Sequence, residues 1–252
     1  MSEDPPRTDE YQGYARLYDP LLNPLLDRPR HGVAALVRHC LRPFALPGSP
    51  PTPDSRHTPA PHHPGPAPVQ GAISPQELPP VLDLCCGTGR QAAFLHGLGF
   101  CVHGLDLSPA MLDVARKNTP VEIQYRLADA TETGLPDAAF GCVCISLALH
   151  EKNPHTREAI LAEAMRLLLP GGSLVLLDYR LPESGLGRAS MRFASMIERL
   201  AGQAHYAHYR QFLAGGGIRA LLGASRLPFR RMETYFHGCM GLYRVFTSGN
   251  EE

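Results

Sequence analysis

Between Val81 and Asp178 short apolar runs alternate with stretches whose apolar residues recur every three or four positions. The runs 81–85, 101–105, 122–127, 140–146 and 173–178 have the length and aliphatic content of strands, and 89–98, 109–117 and 154–168 have helical periodicity. Strands separated by helices predict parallel strands joined by crossover helices. Pro170-Gly171-Gly172 is expected to end the last of these helices and turn the chain into the strand at 173. Farther on, 187–224 is helical in pattern, and 229–236 and 239–247 read as two strands closing a hairpin about His237-Gly238. The expected class is α/β, a seven-stranded and mostly parallel sheet with flanking helices and an antiparallel terminal hairpin.

The chain before Val81 has a different texture. From Tyr11 to Leu41 the pattern is helical, with Tyr11, Tyr14 and Tyr18 at helical intervals and Pro20, Pro24 and Pro29 expected to interrupt it. From 47 to 80 proline, glycine, serine, threonine and histidine replace large apolar residues, so the segment cannot bury enough surface to offset its ordering entropy. It reads as a disordered insertion, and His57, His62 and His63 within it read as solvated.

Composition narrows the function. Of 252 residues, 24 are basic and 24 acidic, so no global field attracts nucleic acid or anionic lipid, and no basic stripe with interleaved aromatics appears. No apolar run is long enough to span a membrane, and no export leader precedes the first helix, from which a cytoplasmic location is expected. The seven cysteines fall in apolar segments without zinc-type spacing, and no metal site is expected.

The candidate chemistry begins at Val81-Leu82-Asp83-Leu84-Cys85-Cys86-Gly87-Thr88-Gly89-Arg90. An apolar strand carrying one acid breaks into glycines, which bring bare backbone against a ligand, and then into a helix whose first N–H groups are free. Cys85, Cys86 and Thr88 are small enough for that close approach. Asp83 would repel a pyrophosphate, yet it can orient the ammonium of an amino-acid cofactor, which points to S-adenosylmethionine. The rival is a nicotinamide dinucleotide site, since Gly87-Thr88-Gly89-Arg90-Gln91-Ala92 fits GxGxx(G/A); Asp83 and the paired cysteines oppose it. In open parallel sheets ligands bind outside the carboxyl ends of the strands. The second strand ends at Asp106, where a carboxylate can accept both ribose hydroxyls. Ser108 can cap the next helix with Pro109 at its first position, placing Met111 one turn in, where it can pack on adenine. Asp129 follows the third strand and can accept from the adenine amine.

V-L-D-L-C-C-G-T-G-R, G-L-D-L-S-P-A-M-L, R-L-A-D-A-T and L-L-L-P-G-G-S-L-V-L-L-D together resemble the ordered motifs of class I S-adenosylmethionine-dependent methyltransferases. They are most similar to the branch that includes ubiquinone and menaquinone biosynthesis enzymes and small-molecule methyltransferases. The resemblance implies a Rossmann-like sheet and methyl transfer to a small acceptor. It implies that Asp83, Gly87 and Gly89 cradle the methionine moiety and that Asp106 takes the ribose, with Cys85 and Thr88 of the same turn also counted as cofactor-binding. Leu107 and Met111 would flank adenine, and Asp129 with Ala130 would receive its edge. Together with the composition it divides the chain into an N-terminal helical lid (1–46), a proline-rich disordered insertion (47–80) that departs from the family pattern, and the methyltransferase domain (81–252) with a helical cover at 187–224.

Methyl transfer from a sulfonium needs alignment more than reactive side chains. His150, after the fourth strand, is the candidate general base if the acceptor must lose a proton. Asp178-Tyr179-Arg180 and the run His205, Tyr206, His208, Tyr209, Arg210 either line an acceptor pocket or form one wet helix face. A binding protein without turnover, acting as a partner or regulatory subunit, would carry the same cofactor motifs.

Overall fold

The computed structural model describes residues 15–44, 78–200 and 202–247, with side chains from Leu25 onward in the first segment. Tyr11, Tyr14 and most of the proline-rich insertion lie outside the described residues, as does the side chain of Tyr18.

Seven strands form one sheet: β1 (Val81–Leu84), β2 (Val102–Asp106), β3 (Gln124–Leu127), β4 (Phe140–Ser146), β5 (Leu168–Tyr179), β6 (Phe229–Tyr235) and β7 (Met240–Phe246). Their order is β3-β2-β1-β4-β5-β7-β6, with β7 antiparallel to both neighbours and the other pairs parallel. This is the seven-stranded, Rossmann-like α/β fold expected, including its antiparallel terminal hairpin. Central β1 and β4 are buried nearly throughout, whereas edge strands β3 and β6 are largely exposed, which is why the middle strands read as continuous apolar runs. Crossover helices α2 (Arg90–Gly97), α3 (Pro109–Asn118) and α4 (Pro154–Leu167) join the parallel strands, and α5 (Gly185–Leu200), α6 (Gln203–Ala214) and α7 (Gly217–Ser225) lie between β5 and the hairpin.

Two local expectations are corrected. The prolines do not interrupt the first helix: α1 runs from Ala15 to Leu41 through Pro20, Pro24 and Pro29. Each interior proline costs about 3 kcal/mol. Val33, Val37, Cys40 and Leu41 are wholly buried in the main core, and each such aliphatic contributes about 1.5–3 kcal/mol, so tertiary packing offsets the local penalty. Nor does Pro170-Gly171-Gly172 precede β5; it lies within it. Phe140 pairs with Leu168 and Cys142 with Ser173, so the strand bulges between them and the proline needs no ladder donor there.

The strand order reverses between β1 and β4, from which the chain winds outward in opposite directions. A crevice opens at such a switch point, at the carboxyl ends of the strands.

Candidate active site

A cleft of about 890 Å³ occupies that crevice. Asp83, Asp106 and Asp129, from the ends of three successive strands, all line it. So do Cys85, Gly87, Thr88, Leu107, Met111 and Ala130. Gly89 lies behind the wall. A Cβ there would stand 2.2 Å from the Tyr125 hydroxyl, and its φ of +73° is left-handed. Tyr125 buttresses the glycine turn from below, its hydroxyl donating to Gly89 O at 3.5 Å and bonded to Thr119 Oγ1 at 3.0 Å. Sequence patterning gave no reason to single out this tyrosine on an edge strand.

The turn is held by the acids themselves. Asp106 accepts from Gly87 N through Oδ2 at 2.8 Å and from Ser108 N through Oδ1 at 2.9 Å, locking the glycine loop to the end of β2. Each oxygen keeps lone-pair capacity for a further donor. Ser108 caps α3 by accepting from Met111 N at 3.1 Å, with Pro109 in the first turn. Ser108→Ala should cost about 1 kcal/mol, read as a lowered Tm. Asp83 is 1 % exposed. It takes a hydrogen bond from Ala92 N in the first turn of α2, while its Oδ2 has no partner among the described residues. Burial pushes its carboxyl up to about 7, beyond what the Ala92 bond restores. Cys85 has a φ of +62° and Leu147, on the facing end of β4, one of +55°; both line the cleft. Such backbone is costly for side-chain-bearing residues and clusters at ligand sites. Burial, with the neighbouring Asp106 and Asp83 carboxylates, raises the Cys85 and Cys86 thiols and keeps them neutral.

The other end of the cleft is walled by Glu151, Lys152, His205 and His208. His150, the candidate base, does not line it. It is 3 % exposed, its Nδ1 lies 2.8 Å from Asp178 Oδ1, and its Nε2 lies 3.4 Å from Glu198 Oε2. Glu198 links the groups: Oε2 is 2.6 Å from His205 Nε2, and Oε1 accepts from the Tyr179 hydroxyl at 2.6 Å. His205 Nδ1 is 3.2 Å from Glu151 Oε2, and Lys152 Nζ donates to Glu151 Oε1 at 2.6 Å. Burial pulls both imidazoles down, but the carboxylates outweigh it. His150 lies well above the usual histidine range, held there by Asp178 and Glu198, and His205 rises to about 9 against Glu151 and Glu198. The candidate base is thus set behind the cleft wall, with each ring nitrogen facing a carboxylate. Of the run on α6, His205 and His208 face the cleft, Tyr209 is buried in the core, and Arg210 is exposed. Arg157 sets that helix in place. Its Nε donates to Leu149 O at 2.8 Å, an Nη donates to His208 O at 3.1 Å, and the guanidinium lies over Phe212.

Residues 81–172 match the family model described as a methyltransferase domain. That segment is similar to a methyltransferase domain. Two curated relatives agree: an uncharacterized methyltransferase of Synechocystis sp. is 38 % identical over 115 residues, covering 46 % of this chain and 53 % of its own. A demethylmenaquinone methyltransferase of Deinococcus radiodurans is 38 % identical over 127 residues, covering 48 % and 52 %. The chain thus spans about half the length of the curated relatives it matches. A solved O-methyltransferase family protein from Burkholderia thailandensis shares the fold, with a TM-score of 0.53 at 19 % identity, covering 69 % of this chain and 52 % of its own. The residues of the cleft fit S-adenosylmethionine on structural grounds. Asp83 lines the cleft with a buried carboxylate oxygen that has no partner among the described residues and is suited to an ammonium, and polar atoms of Gln91 and Ser146 likewise have none among the described residues.

Proposed function

We propose that the protein transfers a methyl group from S-adenosylmethionine to a small-molecule acceptor. The observation that carries the reading is the convergence of Asp83, Asp106 and Asp129 on one cleft beside a glycine turn. Asp83 would hold the ammonium, with Cys85, Gly87, Thr88 and Gly89 shaping the turn around the methionine moiety. Asp106 would take the ribose hydroxyls, Leu107 and Met111 would flank adenine, and Asp129 with Ala130 would meet its edge. Bound there, the cofactor supplies an electrophilic methyl group on a good leaving group. The chain's task is to bind, to align an acceptor at the Glu151–His205 end, and to keep water out.

A small organic acceptor is favoured over nucleic acid by the balanced charge of the chain and by relatives named as demethylmenaquinone methyltransferases. Among the described residues no helix is long and apolar enough to cross a membrane. A cytoplasmic setting is part of the proposal, supported by the free thiols of all seven cysteines. The test is incubation of the purified chain with methyl-labelled S-adenosylmethionine and a panel of hydroxyl, thiol, amine and quinol acceptors. Acceptor-dependent release of S-adenosylhomocysteine is expected. Binding without release from any acceptor would favour the non-catalytic alternative.

The same assignment fixes a pH dependence. Protonation of Asp83 in the free protein competes with an ammonium, and its carboxyl titrates at about 7. Because an α-amino group gains its proton over the same range, lowering the pH from 8 to 6 should weaken S-adenosylmethionine binding about fourfold by linkage, measured by calorimetry. A flat profile would remove Asp83 from the ammonium contact.

A further inference from the structure

His150, Glu151 and His205 come from two places in the chain more than fifty residues apart, the turn after β4 and the first turn of α6. One ring nitrogen of each histidine and one oxygen of Glu151 lie within 4.8 Å of one another. Behind them, Asp178 accepts from Leu149 N at 3.0 Å, His150 N at 3.2 Å and Tyr179 N at 2.7 Å, so its carboxylate is fixed before it meets His150 Nδ1. A fixed carboxylate on one imidazole nitrogen sets the ring's orientation and aims the other at the site, where an ion binds by displacing the proton that nitrogen carries. That other nitrogen, His150 Nε2, points toward Glu198 Oε2, which also touches His205 Nε2.

We infer that His150, His205 and Glu151 form a binding site for one first-row divalent transition ion of the zinc type, with Glu198 beside them as a further oxygen donor. Two imidazoles with one or two carboxylates suit zinc, manganese or iron rather than magnesium or calcium, which prefer all-oxygen shells. Glu151 and His205 stand on the cleft wall, so a coordination position can open toward the acceptor, while His150 is sealed behind them. The inference rests on the methyl-transfer reading only for what the ion would do. It would lower the pKa of an acceptor hydroxyl or thiol. The acceptor loses its proton to bulk solvent as it binds the ion, its oxygen or sulfur forms the bond to the methyl carbon, and the carbon–sulfur bond of the donor breaks with the electron pair left on sulfur.

The test uses the untagged 252-residue chain, stripped with chelator and titrated with Co2+ followed by Zn2+. One equivalent of Co2+ with visible d–d absorption, lacking thiolate charge-transfer bands and displaced by Zn2+, is expected. His205→Gln and Glu151→Gln should each weaken Co2+ binding tenfold or more, and Asp178→Asn about 10–100-fold. Circular dichroism identifies any variant that fails to fold, and the surviving variants carry the test. Absence of Co2+ absorption, thiolate bands, or undiminished binding in His205→Gln would overturn the site; the last would place the ion elsewhere, as on the histidines at 57, 62 and 63. Calorimetry with S-adenosylmethionine on the same samples separates the two readings. Heat with the cofactor but no metal sinks the metal site alone, and metal without cofactor heat sinks only the methyl-transfer reading.

Discussion

Asp83→Asn should make the protein more stable and worse at binding its cofactor. The carboxyl titrates at about 7 because it is buried, with one oxygen unpartnered. Its folded pKa lies above the unfolded one, so the folded state prefers the proton. Folding carries no penalty below the unfolded value of 3.8, and the penalty grows as the pH rises toward 7. Every tenfold change in proton affinity between the two states is worth about 1.4 kcal/mol. Removing the charge should therefore gain up to a few kcal/mol at pH 8, less whatever the Ala92 bond loses, and almost nothing at pH 4. The same change deletes the counter-charge for an ammonium, and a hydrogen bond to a charged group is worth about 1.5–3 kcal/mol. S-adenosylmethionine affinity should fall about 10–100-fold. Thermal melts at pH 8 and pH 4, with calorimetry at pH 8, check both halves. A destabilised variant with unchanged affinity would refute both the strain and the ligand role.

Gly89→Ala should instead lower stability and affinity together. A Cβ at residue 89 meets the Tyr125 hydroxyl at 2.2 Å, its ring carbon at 2.8 Å and Ala115 Cβ at 3.0 Å, in a left-handed backbone. Overpacking of this kind costs about 1–3 kcal/mol, with a further cost for the positive φ. The displacement falls on the turn that Asp106 ties to β2. A second change, Tyr125→Phe, removes the nearest obstruction and leaves the other two. It should recover part of the Tm and little of the affinity, because the turn remains displaced.

The two halves of the site differed in how far the sequence revealed them. The cofactor half is written locally. Asp83 is four residues from Gly87, Asp106 ends the next strand, and Ser108-Pro109 announces the helix that carries Met111, so each position follows from strand, turn and cap rules applied in short windows. The end proposed for the acceptor is not. His150 finds its partners at Asp178 and Glu198, 28 and 48 residues away, and Glu198 in turn binds His205. No spacing rule connects β4, β5, α5 and α6, and only the fold shows that His205 faces the cleft while His150 is sealed behind it. The course of the amino-terminal helix was hidden for a related reason. Pro20, Pro24 and Pro29 are strong local signals, but the burial of Val33, Val37 and Leu41 against the sheet is decided by tertiary contacts. The ends of β5 likewise depend on what Phe140 and Cys142 offer as partners, which the Pro170-Gly171-Gly172 run cannot reveal.

The central claim is that three acids on neighbouring strand ends grip one adenosyl sulfonium. Isothermal titration of the intact chain with S-adenosylmethionine and with S-adenosylhomocysteine, repeated on Asp106→Ala, addresses it most directly. The account predicts one site for each ligand in the natural chain and at least a tenfold weaker one in the variant, since a lost hydrogen bond to a charged group costs about 1.5–3 kcal/mol. No heat with either molecule, or equal affinity in Asp106→Ala, would contradict it.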